Sequence, residues 1–200
     1  DAVARLVRDA GGRALLVGGC VRDLLLGKEP NDFDITTNAL PHEIKEIFAD
    51  YRTVDTGLRH GTVTVLVDSA PYEVTTYRLD GEYSDGRHPD SVRFTGRLID
   101  DLSRRDFTVN AMAMSRTREV IDPFCGREDL ERRLIRCVGD PEKRFSEDYL
   151  RILRALRFSS VLGFEIEKST ADAAARLAKG LYNVSAERTF SELKKMLCGN

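Results

Sequence analysis

The sequence predicts a mixed α/β (α+β) fold followed by an all-helical segment, on three observations. Residues 14–17 form an apolar run that leads through a glycine pair into a short helical stretch. Residues 61–68 and 72–78 are β-branched runs separated only by Ser69-Ala70-Pro71, which reads as a hairpin turn. From Asp140 onward the pattern is helical only. The 200 residues are 42% hydrophobic and 32% charged, values of a soluble globular chain that can bury a core plus an appendage.

Taken in order, residues 2–10 suggest an amphipathic helix ending at Gly11-Gly12. Residues 14–17 read as a buried strand, and Gly18-Gly19 permit a sharp turn with close ligand approach. A helix follows and stops at Gly27. Residues 32–36 read as a strand. A helix starts near Pro41 with Ile44, Ile47 and Phe48 as its buried stripe. Residues 80–91 are rich in turn formers and read as a mobile surface loop. Residues 107–114 read as a core helix with Arg104-Arg105 at its entrance. Two short strands, 120–123 and 134–138, flank a turn or short helix at 126–131. Ser146 reads as the N-cap of a helix whose stripe is Tyr149, Ile152, Leu153 and Leu156, with Arg151, Arg154 and Arg157 on the other side. Helices over 169–178 and 186–197, the latter capped by Ser185, complete the chain.

No apolar run approaches membrane-spanning length and no signal-peptide pattern opens the chain. Four scattered cysteines without a Cys-x-x-Cys pair read as reduced thiols of a cytosolic protein, with no zinc site. A formal net charge of −2 does not advertise nucleic-acid binding, so any RNA must meet a local basic patch or a part of the protein not present here. The chain starts inside an apparent helix and ends just after one, and reads as a fragment.

Two constellations carry chemistry. In the first, a glycine turn opens a helix whose unpaired N–H groups favour an anion, and Arg22 adds a forked donor for phosphate. Asp32 and Asp34 are two residues apart. On one strand their carboxylates share a face, repel each other, and favour a hard divalent cation such as Mg²⁺. A glycine turn beside a solvated strand is the bland alternative, weakened by the adjacency of the two features. In the second, Asp148 and Arg151 lie one helical turn apart. A carboxylate only accepts and a guanidinium only donates. Cytosine and adenine each present an amino donor beside a ring-nitrogen acceptor, whereas uracil and guanine present a carbonyl beside a ring N–H. The pair therefore complements C and A and mismatches U and G. An ordinary helical ion pair is the alternative.

Gly18-Gly19-x-Val-Arg22-Asp23 with Asp32-x-Asp34, Arg104-Arg105-Asp106-Phe107-Thr108-x-Asn110-Ala111, Glu147-Asp148-x-x-Arg151-x-x-Arg154-x-x-Arg157-Phe158 and Ser185-x-Glu187-Arg188 occur in that order. This series resembles the motifs of class II tRNA nucleotidyltransferases and bacterial poly(A) polymerases, of the polymerase-beta-like nucleotidyltransferase superfamily. The resemblance implies a catalytic head over 1–139 with a mixed twisted sheet flanked by helices. It implies a helical neck over 140–200 carrying the nucleotide-selecting helix, with the family's body and tail domains absent from this chain. It assigns Mg²⁺ to Asp32 and Asp34, with Glu73 as third catalytic acid. It assigns the incoming nucleotide to Gly18, Gly19, Arg22, Arg105, Asp106, Asn110, Asp148, Arg151, Arg154 and Arg157. The last motif is implied to steady the neck helices.

The implied activity is template-independent transfer of CMP and AMP from CTP and ATP to the tRNA 3′ end, building CCA in the cytoplasm. An A-adding enzyme, a poly(A) polymerase and a non-catalytic nucleotide-binding module are the alternatives. Residues 57–63 and 72–75 resemble the tRNA-tailing members more than the poly(A) polymerases. The CC-only relatives look shortened where residues 80–93 stand, which argues for an enzyme able to add A. The sequence is silent on oligomeric state.

Overall fold

A computed structural model describes residues 2–55, 57–81, 83 and 90–199. Contacts divide the chain into two compact units. One takes in 1–81, 91–105 and 110–123; the other takes in 82–90, 106–109 and 124–200. Residues 124–139, assigned by motif to the head, thus share their contacts with the helical unit. Most of the 80–91 loop lies outside the described residues.

The first unit opens with α1 (Ala2–Asp9), β1 (Ala14–Val17) and α2 (Gly19–Leu25). Next come β2 (Asp34–Thr37), α3 (Pro41–Ile47), β3 (Arg52–Val54), β4 (Thr62–Val67) and β5 (Ala70–Thr76). It continues with β6 (Arg78–Asp80), β7 (Val92–Phe94), α4 (Leu98–Ser103), β8 (Ala113–Met114) and β9 (Val120–Ile121). Seven strands form one mixed sheet in the order β3-β4-β5-β2-β1-β8-β9. β2 runs antiparallel to β1 and parallel to β5. Strand side chains alternate between faces. One face carries Ile35, Val63, Val65 and Val74, packed under Val3 and Val7 of α1, Ile44 of α3 and Phe48 just after it. Asp34, Thr36 and Glu73 therefore point from the other face.

The second unit contains α5 (Gly126–Glu131), β10 (Leu134–Ile135), α6 (Pro141–Glu147), α7 (Leu150–Leu162), β11 (Glu165–Ile166), α8 (Lys168–Leu177) and α9 (Ala186–Cys198). Phe145, Ile152, Leu153, Ala155 and Phe158 are buried in its core. Among the described residues no helix is long and apolar enough to cross a membrane, and the four cysteines form no disulfide.

Several sequence expectations need correction. The segment after Asp140 is not helix only: Gly163 ends α7 in the left-handed region, and β11 pairs in parallel with β10. Ser146 lies inside α6 rather than capping a helix; Asp140 is that helix's N-cap, its side chain accepting the Glu142 N–H with Pro141 behind it. The apolar stripe of α7 is not clean, because Leu156 is 45% exposed while Arg157 is buried. The 107–114 core helix is a 3-10 turn (Thr108–Asn110) followed by β8. Arg104-Arg105 accordingly follow the C-terminal end of α4, where the helix dipole favours cations.

The β4–β5 hairpin turns on Asp68-Ser69, not on Ser69-Ala70-Pro71: Val67 pairs with Ala70 and Leu66 with Pro71. Both turn residues have positive φ, 51° and 67°, the geometry of a two-residue turn that an asparagine followed by a glycine fits best. The double substitution Asp68→Asn with Ser69→Gly is expected to stabilise the protein by about 1 kcal/mol, read as a higher urea midpoint at unchanged m-value.

Candidate functional site

In the first unit the site is built on the parallel register of β2 and β5. Asp34 stands opposite Glu73, so two carboxylates share the sheet face opposite α1 and α3. Asp32 lies just outside β2 and is exposed. The strand expected over 32–36 therefore begins at Asp34, and strand alternation does not align Asp32 with Asp34. Asp34 is largely withdrawn from water. Burial pushes its carboxyl up to about 6, Arg105 pulls it down, and Glu73 and Asp32 raise it further. Among the described residues no three Asp, Glu, His or Cys side chains converge into a metal cage. The donor set fits a hard divalent cation nonetheless: it is all oxygen, and the mutually repelling negative charges of half-buried Asp34 and of exposed Asp32 and Glu73 are relieved by one.

The glycine turn is shaped by what surrounds it. Gly18 has φ 82°, and a Cβ there would sit 2.9 Å from Arg105 Nη1 and 3.7 Å from Asp34 Oδ2. A side chain there would strain a left-handed backbone and crowd the Arg105 guanidinium, while its contact with Asp34 would be an ordinary one. Its N–H donates to the Met112 carbonyl at 3.3 Å. Gly19 starts α2, with the Arg22 guanidinium beside it. Arg22 is buried. Its Nη1 donates to Asn110 Oδ1 at 2.8 Å and its Nε to Asp23 at 2.9 Å, so Asn110 and Arg22, expected separately as nucleotide contacts, are one hydrogen-bonded pair.

Asp101 is a site residue that sequence reasoning misses. It is fully buried. It accepts from Arg104 Nε and Nη2 at 3.0 and 2.8 Å, from Arg105 Nη2 at 3.3 Å and from the Thr36 hydroxyl at 3.4 Å. Burial opposes its ionisation, but the two arginines prevail and hold its carboxyl below the usual range. The available signal is its position three and four residues before Arg104 and Arg105, the spacing of helical ion pairs.

In the second unit Asp148 is extended between α6 and α7 rather than inside a helix. Its Oδ1 accepts the Leu150 N–H at 3.1 Å, and its two oxygens accept Arg188 Nη1 and Nη2 at 3.2 and 2.7 Å. Arg151 does not pair with it. Arg151 Nη1 donates to Glu147 Oε2 at 2.5 Å and to the Arg144 carbonyl at 2.9 Å. The expected Asp148–Arg151 helical pair is therefore two neighbouring side chains, each held by its own partner.

The remaining arginines are also engaged within the unit. Arg154 pairs with Asp106 at 2.6 Å, while Asp106 Oδ1 accepts the Phe107 N–H at 2.8 Å. Arg157 pairs with Glu192 at 2.5 Å, both buried, and its guanidinium lies 4.0 Å from the Phe158 ring centroid. Glu192 carries no local sequence signal, because its partner Arg157 stands 35 residues away, whereas Arg144 pairs with Glu147 at helical spacing, 3.1 Å away.

Residues 14–136 match the model of the Poly A polymerase head domain, and residues 163–200 that of the probable RNA and SrmB-binding site of polymerase A. A protein of Leuconostoc mesenteroides named CCA-adding enzyme is 50% identical over 194 residues, 97% of this chain and 48% of its own length. The crystal structure of the Bacillus stearothermophilus CCA-adding enzyme in complex with CTP superposes with a TM-score of 0.90 at 46% identity, covering 98% of this chain and 47% of that one. The Thermotoga maritima CCA-adding enzyme complexed with tRNA-CCA superposes at 0.78 with 27% identity, over 98% of this chain and 45% of that one. The chain thus spans about half the length of the relatives it matches.

A carboxyl whose folded pKa of about 6 exceeds the ordinary value of 3.8 lends stability that is fully present below the lower value and is lost as pH rises through the upper one. Asp34→Asn is therefore expected to stabilise the metal-free protein at pH 8 by about 1–2 kcal/mol. Its advantage over wild type should shrink toward pH 4, as followed by urea unfolding across that range.

Proposed function

This chain belongs to the Poly A polymerase head domain family, and on that premise we propose that it is the head and neck portion of a tRNA nucleotidyltransferase that builds or repairs the CCA end. The 50% identity to a CCA-adding enzyme across 97% of the chain carries this reading. By motif, residues 1–139 act as the catalytic head and 140–200 as the neck. The substrates are CTP, ATP and the tRNA 3′ end, and the setting is the cytoplasm.

Enzymes of this family generally use divalent metals; here Mg²⁺ is proposed, held by Asp32 and Asp34 with Glu73. When bound, it would supply positive charge to the phosphoryl oxygens and make the attacking hydroxyl more acidic. In the transfer the RNA 3′-hydroxyl gives up its proton to solvent, and its oxygen bonds to the α-phosphorus as the bond to pyrophosphate breaks. Gly18 keeps the backbone open beside Asp34 and Arg105, which supports a phosphate approach at this turn. Arg105, braced by Asp101, supplies fixed positive charge to a triphosphate. Arg22 and Asn110, already paired, are proposed to meet it as one unit.

In the neck, Asp148 accepts the amino hydrogen of C or A while Arg151 donates to the adjacent ring nitrogen. Uracil and guanine set a carbonyl against Asp148 and a ring N–H against Arg151, leaving polar groups unpaired, a mismatch that can cost on the order of 10⁴-fold. Arg154 and Arg157 are held by Asp106 and Glu192. That supports a role in fixing the reading helix, and by motif Asp106, Arg154 and Arg157 are proposed to contact the incoming nucleotide.

The full-length protein, given Mg²⁺ and tRNA lacking CCA, is expected to add C, C and then A from CTP and ATP. Addition of A only onto a CC end indicates the A-adding type, long A tails on arbitrary RNA indicate a poly(A) polymerase, and absence of any transfer indicates a binding module. Asp34→Ala is expected to lower transfer on the order of 10³-fold while leaving the circular dichroism spectrum intact; wild-type turnover in that variant removes Asp34 from the metal site. Asp148→Ala combined with Arg151→Ala is expected to reduce the preference for C and A over U and G to less than about tenfold, measured by single-nucleotide incorporation.

A further inference from the structure

The motif Ser185-x-Glu187-Arg188 reads from the sequence as a device that steadies helices. The structure gives its arginine a more specific task. α9 turns its polar side inward: Arg188 and Glu192, one turn apart, reach Asp148 and Arg157. Its apolar residues Phe190, Leu193 and Leu197 lie on the opposite side and are exposed. A helix packed this way is placed by its charges, not by its hydrophobic face.

At the α6–α7 junction the acceptor capacity of Asp148 can be counted. A carboxylate offers about four lone-pair positions, two on each oxygen. Arg188 Nη1 and the Leu150 N–H fill both positions on Oδ1, and Arg188 Nη2 fills one on Oδ2. Among the described residues nothing fills the remaining position, on Oδ2. Its direction is fixed, because a forked guanidinium bound to both oxygens prevents rotation about the carboxylate torsion, which is otherwise broad and two-fold.

We propose that Arg188 is a specificity-determining residue: by clamping both oxygens of Asp148 it leaves that carboxylate a single aimed acceptor, matched to one amino hydrogen of cytosine or adenine. This rests on the reading that Asp148 meets the base edge. A carboxylate with two or three open positions can hold a water, and a water can present its own hydrogen to the carbonyl of uracil or guanine. A carboxylate with one open position has no second place for that bridge. Removing the fork opens two positions and frees the torsion, so both routes to misreading appear together. Arg151 is framed in a parallel way, its Nη1 held by Glu147 and the Arg144 carbonyl.

The test uses the full-length enzyme, with Arg188→Met, Arg188→Lys and Asp148→Asn compared by single-turnover incorporation of CTP against UTP and of ATP against GTP. Arg188→Met is expected to lower both ratios by at least about tenfold, mainly through faster use of UTP and GTP. Arg188→Lys keeps the opposite charge but has one point donor in place of two prongs, and is expected to lower them about threefold. A purely structural role slows all four nucleotides alike and leaves the ratios untouched. Wild-type ratios in Arg188→Lys together with Arg188→Met overturn the inference; if the methionine variant does not fold, the lysine variant decides alone. Loss of the ratios in Asp148→Asn with retention in the arginine variants sinks this inference and spares the base-reading assignment. Retention in Asp148→Asn as well sinks that assignment too.

Discussion

The chemistry of the first unit depends on one strand register. β2 and β5 run in parallel so that Ile35 meets Val74 and, one residue earlier, Asp34 meets Glu73. The apolar pair is locked into the core under α1 and α3. Because strand side chains alternate, that lock fixes the acids on the other face. A slip of one residue would bury the carboxylates in the core and expose the valine and isoleucine, so the hydrophobic face sets the acid face at no extra cost in specificity. The acids are not at ease there. Burial works against the ionised form of Asp34, and among the described residues Arg105 works for it. A folded site that holds unfavourable charge in place is primed for a cation, and the remainder of the unit must supply the stability that the site gives up.

In the second unit, buried charge takes on a structural role usually left to apolar packing. The three arginines of α7 each have a carboxylate partner: Glu147 for Arg151, Asp106 for Arg154 and Glu192 for Arg157. Burying such pairs is costly in desolvation and adds little stability over an apolar contact. What it provides is direction. A guanidinium hydrogen-bonded to a fixed carboxylate is held toward it, a tether that a leucine in the same place cannot make. For a helix proposed to tell a C from a U by hydrogen bonds alone, direction is the property that matters.

Much of this is legible from local pattern. The β1 strand over 14–17, the glycine turn, the hairpin strands and the Ser185 cap each follow from residues within a few positions of one another, and each is present. What local pattern does not carry is partner choice over distance. Asp148 and Arg151 have helical spacing, yet the helix breaks between α6 and α7 because the Asp148 carboxylate takes the Leu150 N–H and Arg188 pulls it from 40 residues away. Arg104-Arg105 have the look of a helix entrance only if the helix lies after them. Asp101, buried one turn before, shows that it lies ahead of them in sequence. Asp140-Pro141 does carry a local start signal for α6, and the stronger-looking Ser146 draws the assignment away from it.

The near balance of charges in the composition, a net −2, is matched by pairing in space. Arginines at the site residues do not create a basic surface, because Asp101, Asp106, Glu147, Glu192 and Asp148 are set against Arg104, Arg105, Arg154, Arg151, Arg157 and Arg188. Long-range attraction of a polyanion scales with unpaired charge, whereas recognition at contact scales with how rigidly donors and acceptors are aimed. A chain that neutralises its own arginines sacrifices the first and secures the second. Under the proposed function, selectivity between nucleotides carrying the same triphosphate then comes from the base edge, the one part of the substrate on which C, A, U and G differ.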